Sequence, residues 1–243
     1  MRLSIVSPTY NEANNLEPLV KELTTVLTDS TYEVVIVDDD SPDLTWKKAE
    51  ELGQRFPLVR SLRRTKTRGL SSAVIEGFNV AQGDMVACMD ADLQHDPVIL
   101  PSMIQALDQG ADLAVGSRYV EGGGTGEWSW SRWISSWTAT KLAHILLHVE
   151  LKDPMSGFFL MRRTDFLRVR DRLDAKGFKI LLEIVARLQP ERIVEVPYTF
   201  RNRRIGKSKL SSTVILQYLQ QLWKLSRHAP PARKNPQNGG PPA

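Results

Sequence analysis

The sequence, 243 residues long, has little of several features that define whole classes of protein. Its one cysteine, Cys88, excludes a disulfide framework and a cysteine-rich zinc site, and is typical of a reducing compartment. No apolar run approaches the roughly 18 residues that a membrane span needs, and the apolar run at the N-terminus is too short for a signal peptide. We therefore expect no signal peptide and no transmembrane span, in a chain that is soluble or peripheral to a membrane.

Acidic residues are absent from the C-terminal part of the chain. Residues 200–243 contain nine basic side chains and no acidic one, although the net charge of the whole chain is only +4. Residues 1–199 therefore hold 23 basic against 28 acidic side chains. This asymmetry indicates an anionic partner near the C-terminus, either a nucleic acid or a membrane surface. Because the body is acidic, we expect the membrane surface and no nucleic acid.

Short apolar runs typical of buried strands alternate with segments of helical period. The predicted strands are 3–7, 32–37, 58–62, 85–89 and 113–115, and the predicted helices between the first four are 14–27, 46–56 and 71–81. This alternation predicts an α/β domain with a mostly parallel sheet and helices on both faces. We expect this α/β domain at 1–210, an amphipathic helix at 211–227 and a disordered tail at 228–243.

Polar residues follow the predicted strands at the edge where α/β sheets bind their ligands. Asp90 and Asp92 come at period two after a buried strand, and Gln94 adds another oxygen ligand. Hard oxygen ligands so close together suit Mg²⁺ or Mn²⁺. A bare pair of aspartates also occurs in solvated acidic turns, and the position after a buried strand favours the metal site.

A second acidic cluster, residues 38–40, follows another strand of the same edge. If both clusters face one cleft, a divalent cation is the simplest way to relieve their repulsion. Alternatively, Asp40 caps the helix that begins near Pro42 and Asp43. Asp39 is the better candidate for accepting hydrogen bonds from a base or ribose.

Eight short blocks follow the order and spacing of one known family. The first five resemble the family 2 glycosyltransferases, which have the Rossmann-like GT-A fold: 7–12, 37–43, 69–73, 89–94 and 116–119. The other three narrow the resemblance to the dolichol-phosphate (polyprenol-phosphate) mannosyltransferases: 153–158, 179–183 and 203–209. The resemblance extends over roughly residues 3–225.

The resemblance implies metal-dependent transfer of mannose, with inversion, from GDP-mannose to a polyprenyl (dolichyl) phosphate. Another nucleotide sugar, such as UDP-glucose, is the alternative donor. The residues implied to hold the guanosine are Pro8, Tyr10, Glu12, Val37 and Asp39. Those implied to surround the metal and diphosphate are Asp90, Ala91, Asp92 and Gln94, with Asp92 and Gln94 as the ligands of Mg²⁺ or Mn²⁺.

The resemblance also assigns the positive charge. The residues implied to contact phosphates or the sugar are Arg118, Lys179, Arg203 and Lys209. Arg132 and Ser136 would meet the acceptor phosphate. The predicted catalytic residues are Asp92, Arg118, Arg203 and Lys209.

The implied reaction needs no general base. A phosphate monoester has a second pKa near ~6, so at neutral pH it is already an anionic nucleophile. What the reaction needs is positive charge on the leaving diphosphate and around the incoming phosphate. Only four histidines are present, and His144 and His148 lack a third metal ligand nearby, so we expect them to pack or lie at the surface.

The remaining features concern the surface. We expect a flexible loop over the active site at residues 122–126, which contain four glycines. A cluster of four tryptophans is either core or an interfacial surface that receives a lipid: Trp128, Trp130, Trp133 and Trp137. For attachment at the cytoplasmic side of a membrane, either the helix at 211–227 lies in the interface or a small membrane-anchoring subunit recruits the protein.

Overall fold

The structure is a computed structural model that describes residues 2–28, 30–128, 130–147, 151–177, 179–202 and 212–227. Three of the sequence-based predictions lie outside these ranges. They concern the basic segment at 203–209 with Arg203 and Lys209, the side chain of His148, and the tail at 228–243.

A seven-stranded sheet forms the centre of the fold, in the order β3-β2-β1-β4-β6-β5-β7. Its strands are β1 (Leu3–Thr9), β2 (Tyr32–Asp38), β3 (Val59–Arg63), β4 (Met85–Cys88), β5 (Leu113–Ser117), β6 (Phe159–Arg162) and β7 (Ile193–Pro197). The first four strands are parallel to one another, as are β5 and β7, whereas β6 is antiparallel to both of its neighbours. The predicted mostly parallel sheet is therefore confirmed, and β6 and β7 are additions that periodicity did not predict.

Eight α-helices lie within the described residues. They are α1 (Ala13–Val26), α2 (Thr45–Arg55), α3 (Leu70–Val80), α4 (Leu100–Asp108), α5 (Trp130–Leu147), α6 (Arg163–Val169), α7 (Ile180–Leu188) and α8 (Ser212–Ser226). Two short 3-10 helices, Pro97–Ile99 and Arg170–Arg172, precede α4 and follow α6. Within the described residues, none of the helices combines the length and apolar character needed to cross a bilayer.

Buried side chains form an apolar cluster on each face of the sheet. On one face, Leu19 of α1, Leu52 of α2 and Met103 of α4 pack against the strands. On the other face, Phe78 of α3 and Phe166 of α6 do so, with their ring centroids 5.1 Å apart. The strands read as unbroken apolar runs because both of their faces are covered in this way. The predicted helices on both faces are confirmed.

Helices α5 and α8 pack against each other in a third cluster. Ala143 of α5 meets Tyr218 and Leu222 of α8, and all three side chains are buried. Leu219 and Trp223, placed on the same apolar face by the helical period, are 44% and 57% exposed. The structure thus divides that face into a stripe that contacts the body and a stripe at the surface.

Candidate active site

The polar blocks of the sequence meet at one edge of the sheet. Six strands run in one direction, so their carboxyl ends share an edge. Because β6 runs the opposite way, the residues that precede it, 153–158, arrive at the same edge. The edge therefore collects segments 8–12, 38–41, 63–69, 90–95, 117–119, 153–158 and 198–201.

The predicted nucleoside residues lie at the ends of β1 and β2. Pro8 and Val37 are paired in register on these two strands. One or two residues beyond them, Asp39 donates its backbone N–H to the Thr9 carbonyl, and the Tyr10 ring lies 5.5 Å from the Arg68 guanidinium carbon. The pairing of the strands thus brings together residues that are about 30 positions apart in the chain.

Asp39 is held by an arginine that the sequence patterns did not single out. Arg64 Nη1 donates to Asp39 Oδ1 at 2.5 Å, and the Gly69 N–H donates to Oδ2 at 2.7 Å. Burial raises the pKa of the Asp39 carboxyl, and the Gly69 N–H and the Arg64 charge oppose this. Each carboxylate oxygen has two lone pairs, so Asp39 retains acceptor capacity for a ligand. Arg64 follows β3 directly, and that position at the carboxyl end of a strand was the available signal.

The three aspartates at 38–40 have different hydrogen-bond partners and do not form a single binding site. Asp38 accepts hydrogen bonds from Thr9 Oγ1 and from Ser41, whereas Asp40 accepts from Arg63 at 2.8 Å. Protein donors therefore hold each of these two carboxylates. Asp40 has a φ of 55° and does not cap α2, whose N-cap is Leu44, so that alternative is wrong.

Helix α1 begins one residue before the predicted helix at 14–27. Its N-cap is Glu12, with no side-chain cap, and the Ala13 N–H instead donates to Asp43 Oδ2 at 3.2 Å. Glu12 is buried and accepts a hydrogen bond from Asn15 Nδ2 at 2.6 Å. A loop from the next strand thus fixes this predicted nucleoside residue.

The turn at 90–95 lies between the end of β4 and the 198–201 segment. Asp92 Oδ1 accepts from the Gln94 N–H at 3.1 Å, and Ala91 is buried in the core beneath it. Leu93, also buried, has a φ of 63°. A left-handed conformation is strained for a bulky side chain, and such strain collects at ligand sites.

His95 anchors this turn from inside the protein. Its ring stacks on Phe158 with centroids 5.2 Å apart, and its Nδ1 accepts the Asp90 N–H at 3.1 Å. Burial lowers the pKa of His95, so the ring is neutral at pH 7. His95 follows Gln94 directly, yet its residue type gave no sign of this role.

The oxygen atoms of the turn fit a hard divalent cation. Gln94 Nε2 donates to the Arg201 carbonyl at 3.0 Å, so a cation would meet the amide oxygen. Asp90 and Asp92 supply carboxylates within two residues, and the Asp90 side chain is 36% exposed. The described residues contain no group of three or more acidic, histidine or cysteine side chains placed to hold a metal ion on their own. Such a sparse set suits Mg²⁺ or Mn²⁺, which complete their shell with water and phosphate oxygens.

Arg118 forms a buried ion pair with Asp153. Its Nε and Nη2 atoms each donate at 2.7 Å, and its backbone N–H donates to the same carboxylate at 3.0 Å. Burial would lower the pKa of the guanidinium, but the hydrogen bonds and charge of Asp153 outweigh it and raise the pKa. The centroids of the Trp128 and Phe200 rings lie 5.0 and 5.5 Å from the guanidinium carbon of Arg118. Part of its hydrogen-bonding capacity is therefore committed within the protein.

The segment at 153–158 contacts both the acidic turn at 90–95 and the basic half of the site, by which we mean Arg118 and Lys179. Asp153 binds Arg118, and the Met155 carbonyl accepts from Lys179 Nζ at 3.1 Å. A Cβ placed on Gly157 would lie 3.1 Å from Asp90 Oδ2. The fold thus gathers Asp90, Arg118 and Lys179 around one short loop.

The predicted acceptor residues lie on α5. Tyr119 and Ser136 share a hydrogen bond of 2.8 Å between their hydroxyls. Arg132 is one turn earlier on the same helix, and its side chain lies outside the described part of the structure. Ser136 is therefore connected to the residue that follows Arg118.

The glycine-rich loop is hydrogen-bonded to residues 198–200 at the edge of the site, and its expected flexibility stays a prediction. The Gly124 N–H donates to the Tyr198 carbonyl at 3.1 Å, and the Gly124 carbonyl accepts the Phe200 N–H at 2.8 Å. Gly126 has a φ of 59°, and a Cβ there would lie 2.5 Å from the Phe200 carbonyl oxygen. Glycine is required at this close approach.

The tryptophan cluster divides between the interior and the surface. Trp128 packs on Phe200, with the ring centroids 5.6 Å apart. Trp130, Trp133 and Trp137 stack along α5 and are 74%, 38% and 49% exposed. We call these three residues, with Leu219 and Trp223 of α8, the aromatic surface.

Comparison with known proteins identifies the family of this chain. The model of "Glycosyl transferase family 2" matches residues 4–170. The chain belongs to this family. The resemblance and the GT-A type of fold predicted from the sequence are thereby confirmed.

Two relatives are named dolichol-phosphate mannosyltransferase. The protein from Pyrococcus furiosus is 46% identical over 93% of this chain and 64% of its own length. That from Saccharomyces cerevisiae is 40% identical over 91% of this chain and 86% of its own length. The chain thus spans just under two thirds of the archaeal relative and most of the yeast one.

A solved structure shares the fold at low identity. Glucosyl-3-phosphoglycerate synthase from Mycobacterium tuberculosis, solved with Mn²⁺, uridine diphosphate and glucosyl-3-phosphoglycerate, superposes with a TM-score of 0.61. It is 21% identical over 93% of this chain and 76% of its own. At this level of identity, the likeness shows a shared fold and does not identify the donor or the acceptor of this chain.

Proposed function

We propose that the protein transfers mannose from GDP-mannose to a polyprenyl phosphate, in a reaction that depends on a divalent cation. The observation that carries this proposal is the loop at 153–158, which brings an acidic turn against two basic side chains. An acidic turn beside fixed positive charge suits a metal-bound diphosphate. The names of the two relatives support mannose and a lipid phosphate for this chain.

Asp39 supports a guanine or ribose contact. It is a buried acceptor whose position is fixed from both sides by Arg64 and Gly69. Guanine offers N–H donors on its base, and a fixed carboxylate is a fitting acceptor for them. Tyr10 and its neighbour Arg68 supply a flat, cationic wall nearby.

Asp92 and Gln94 would hold the cation, with Asp90 beside them. When bound, the cation would supply positive charge to the leaving diphosphate. Lys179 and Arg118, which bind the same loop, would add positive charge, Arg118 as a fixed point because Asp153 holds it. Preorganised charge of this kind favours the developing anion because it needs no rearrangement during the reaction.

The acceptor needs orientation rather than activation. Its phosphate is already anionic at neutral pH and needs no base. In a single in-line displacement, a phosphate oxygen would bond to the anomeric carbon as the bond to GDP breaks and GDP leaves from the opposite face. An α-linked donor would thus give a β-linked product. We assign its binding to the region of Ser136 and Arg132, because Tyr119 connects Ser136 to the basic half of the site.

The aromatic surface supports docking to a membrane. Stacked indoles on α5 lie next to Lys141, whose Nζ is 5.8 Å from the Trp137 ring, and Arg227 lies 3.5 Å from the Trp223 ring. Indoles and cations together are typical of the bilayer interface. The polyprenyl chain would then stay in the bilayer while its phosphate enters the site.

A panel of donors tests the proposed reaction. The purified protein, a short polyprenyl phosphate in detergent and Mn²⁺ are incubated with GDP-mannose, GDP-glucose or UDP-glucose, and lipid-linked sugar is extracted. We expect GDP-mannose to give at least a tenfold higher kcat/KM than the others. Preferential use of UDP-glucose would support the alternative donor and contradict our assignment of the nucleoside site.

Vesicle sedimentation tests the membrane surface. We expect Trp133→Ser with Trp137→Ser to weaken binding to anionic vesicles, because each indole removes a large apolar area from water. Leu167→Ser is the matched control, since Leu167 is 36% exposed on α6, outside the aromatic surface. Equal binding by both variants would contradict this part of the proposal. Failure of the wild type to bind would favour a separate anchoring subunit.

A further inference from the structure

Helix α8 contacts a basic residue of the site through one buried amide. Gln221, 4% exposed, donates from Nε2 to the backbone carbonyl of Lys179 at 3.1 Å. The same carbonyl accepts the Leu182 N–H, so Gln221 binds at the start of α7. Lys179 also directs its ammonium to the Met155 carbonyl in the central loop of the site.

The Gln221 amide also packs against Gly177, two residues before Lys179. A Cβ on Gly177 would lie 2.9 Å from Gln221 Oε1, so the glycine leaves room for the amide. The Gly177 carbonyl accepts the Ser71 N–H at 3.4 Å. Ser71 lies in the first turn of α3, two residues after Gly69, which binds Asp39. The segment held by Gln221 therefore touches both the nucleoside side and the basic side of the site.

A second bond fixes the beginning of the segment. Lys224, one turn after Gln221 on α8, donates to Asp174 Oδ2 at 2.9 Å. Asp174 in turn accepts the Lys176 N–H at 2.9 Å. Helix α8 itself is seated on α5, where the Tyr218 hydroxyl donates to the Ala139 carbonyl at 2.6 Å. Asp174 and Lys179 are thus both held by one helix.

The surroundings of Gln221 favour an ordered position. Glu183 of α7 lies 3.5 Å from Gln221 Nε2 and 3.7 Å from Arg187 Nε, and its side chain is buried. Burial raises the pKa of the Glu183 carboxyl. A buried amide whose donors are directed at named acceptors is costly to displace, because an unmade bond leaves a desolvated polar group.

We propose that Gln221 is a positioning residue for Lys179, through which α8 sets the geometry of the donor site. The proposal rests on the function proposed above, because it gives Lys179 a role in binding the donor. Since α8 also carries Leu219 and Trp223 of the aromatic surface, the helix connects the membrane-facing side of the protein to the site.

A double-mutant cycle tests the proposal. Gln221→Met keeps the length of the side chain and removes the donor, and Gln220→Met makes the same change at an exposed position of the same helix. We expect Gln221→Met to raise the KM for the donor about fivefold with little change in kcat, as for one lost hydrogen bond. In a Lys179→Ala background the same substitution should add almost nothing, because the two residues act together.

Two further measurements keep the test decisive. Gln221→Asn retains an amide that is too short to reach, and should reproduce the KM effect if Gln221→Met does not fold. Hydrogen exchange over 173–182 should be faster in the Gln221 variants than in Gln220→Met. Additive effects in the cycle, or unchanged exchange, would overturn the proposal. Inactivity of the wild type with every donor would refute the proposed reaction instead, and the exchange measurement would still decide whether Gln221 holds the segment.

Discussion

The buried pair of Arg118 and Asp153 gives a quantitative test of how the site is built. Asp153 is fully buried and accepts three hydrogen bonds from Arg118, two of them at 2.7 Å. Asp153→Asn keeps the shape of the side chain but leaves a buried guanidinium without a counter-charge. Breaking a buried pair in this way costs about 3–5 kcal/mol, a large part of the roughly 5–15 kcal/mol that stabilises a typical protein.

Denaturant unfolding at pH 7, followed by tryptophan fluorescence, measures this loss. In a thermal melt of a chain of this size, the melting temperature should fall by about 2–4 °C for each kcal/mol of unfolding free energy that is lost. Asp171→Asn is the matched control, because Asp171 forms an exposed pair with Arg170 and should show no measurable change. A loss below about 1 kcal/mol for Asp153→Asn would refute the reasoning, since it would mean that Arg118 is readily solvated or neutralised.

A compensating variant separates stability from activity. Arg118→Met with Asp153→Leu replaces the pair by apolar side chains of similar length, a change that is often neutral or stabilising. We expect this double variant to recover most of the stability lost in Asp153→Asn. Under the proposed function it should not recover sugar transfer, because the guanidinium that we assign to the donor phosphates is gone.

Two further predictions concern stability. Gly126→Ala should cost about 2 kcal/mol, because a Cβ would lie 2.5 Å from the Phe200 carbonyl. Gly124→Ala is its control, with ordinary contacts of 3.4 Å and above, and equal unfolding midpoints would contradict the prediction. Burial raises the pKa of Glu33, but hydrogen bonds from Ser4, Gln82 and Arg60 lower it overall. Its stabilisation is therefore present above the unfolded-state pKa and is lost as the pH falls through the lower folded-state value. Glu33→Gln should be less stable at pH 7, and urea titrations should show this deficit shrinking below about pH 4; a constant deficit would contradict it.

The sequence was informative where local pattern decides structure. Short apolar runs predicted five of the strands, because a strand buried on both faces leaves a continuous apolar signature. The polar residues that follow those runs, such as Asp39 and Asp92, were placed at the ligand edge by the rule for parallel strands. The sequence pattern therefore predicts that these residues lie together at one edge of the sheet, although it does not predict their contacts.

Pairing between distant residues lay beyond local pattern. Arg64 and Asp39 are 25 positions apart, and Arg118 and Asp153 are 35 apart. Nothing in periodicity tells which acid an arginine will meet, because the meeting depends on how the strands are ordered in the sheet. Arg63 and Arg64 supply counter-charge to Asp40 and Asp39, a pairing that the run of three aspartates does not reveal.

Helix faces show the same limit. The period of α8 predicted one apolar stripe, but it does not tell which residues meet the body and which face outward. Tyr218 and Leu222 pack on α5, while Trp223 is exposed. Gln221 is polar and yet buried, and its amide donates to the backbone carbonyl of Lys179, directly before α7.

The most direct test of the central claim is the rate at which labelled mannose passes from GDP-mannose to a polyprenyl phosphate. The assay compares wild type with Asp92→Ala, with Mn²⁺ present or removed by a chelator, and measures the label extracted into organic solvent. We predict metal-dependent transfer by the wild type and at least a hundredfold lower rate for Asp92→Ala. No transfer by the wild type, or equal transfer by the variant without metal, would contradict the account.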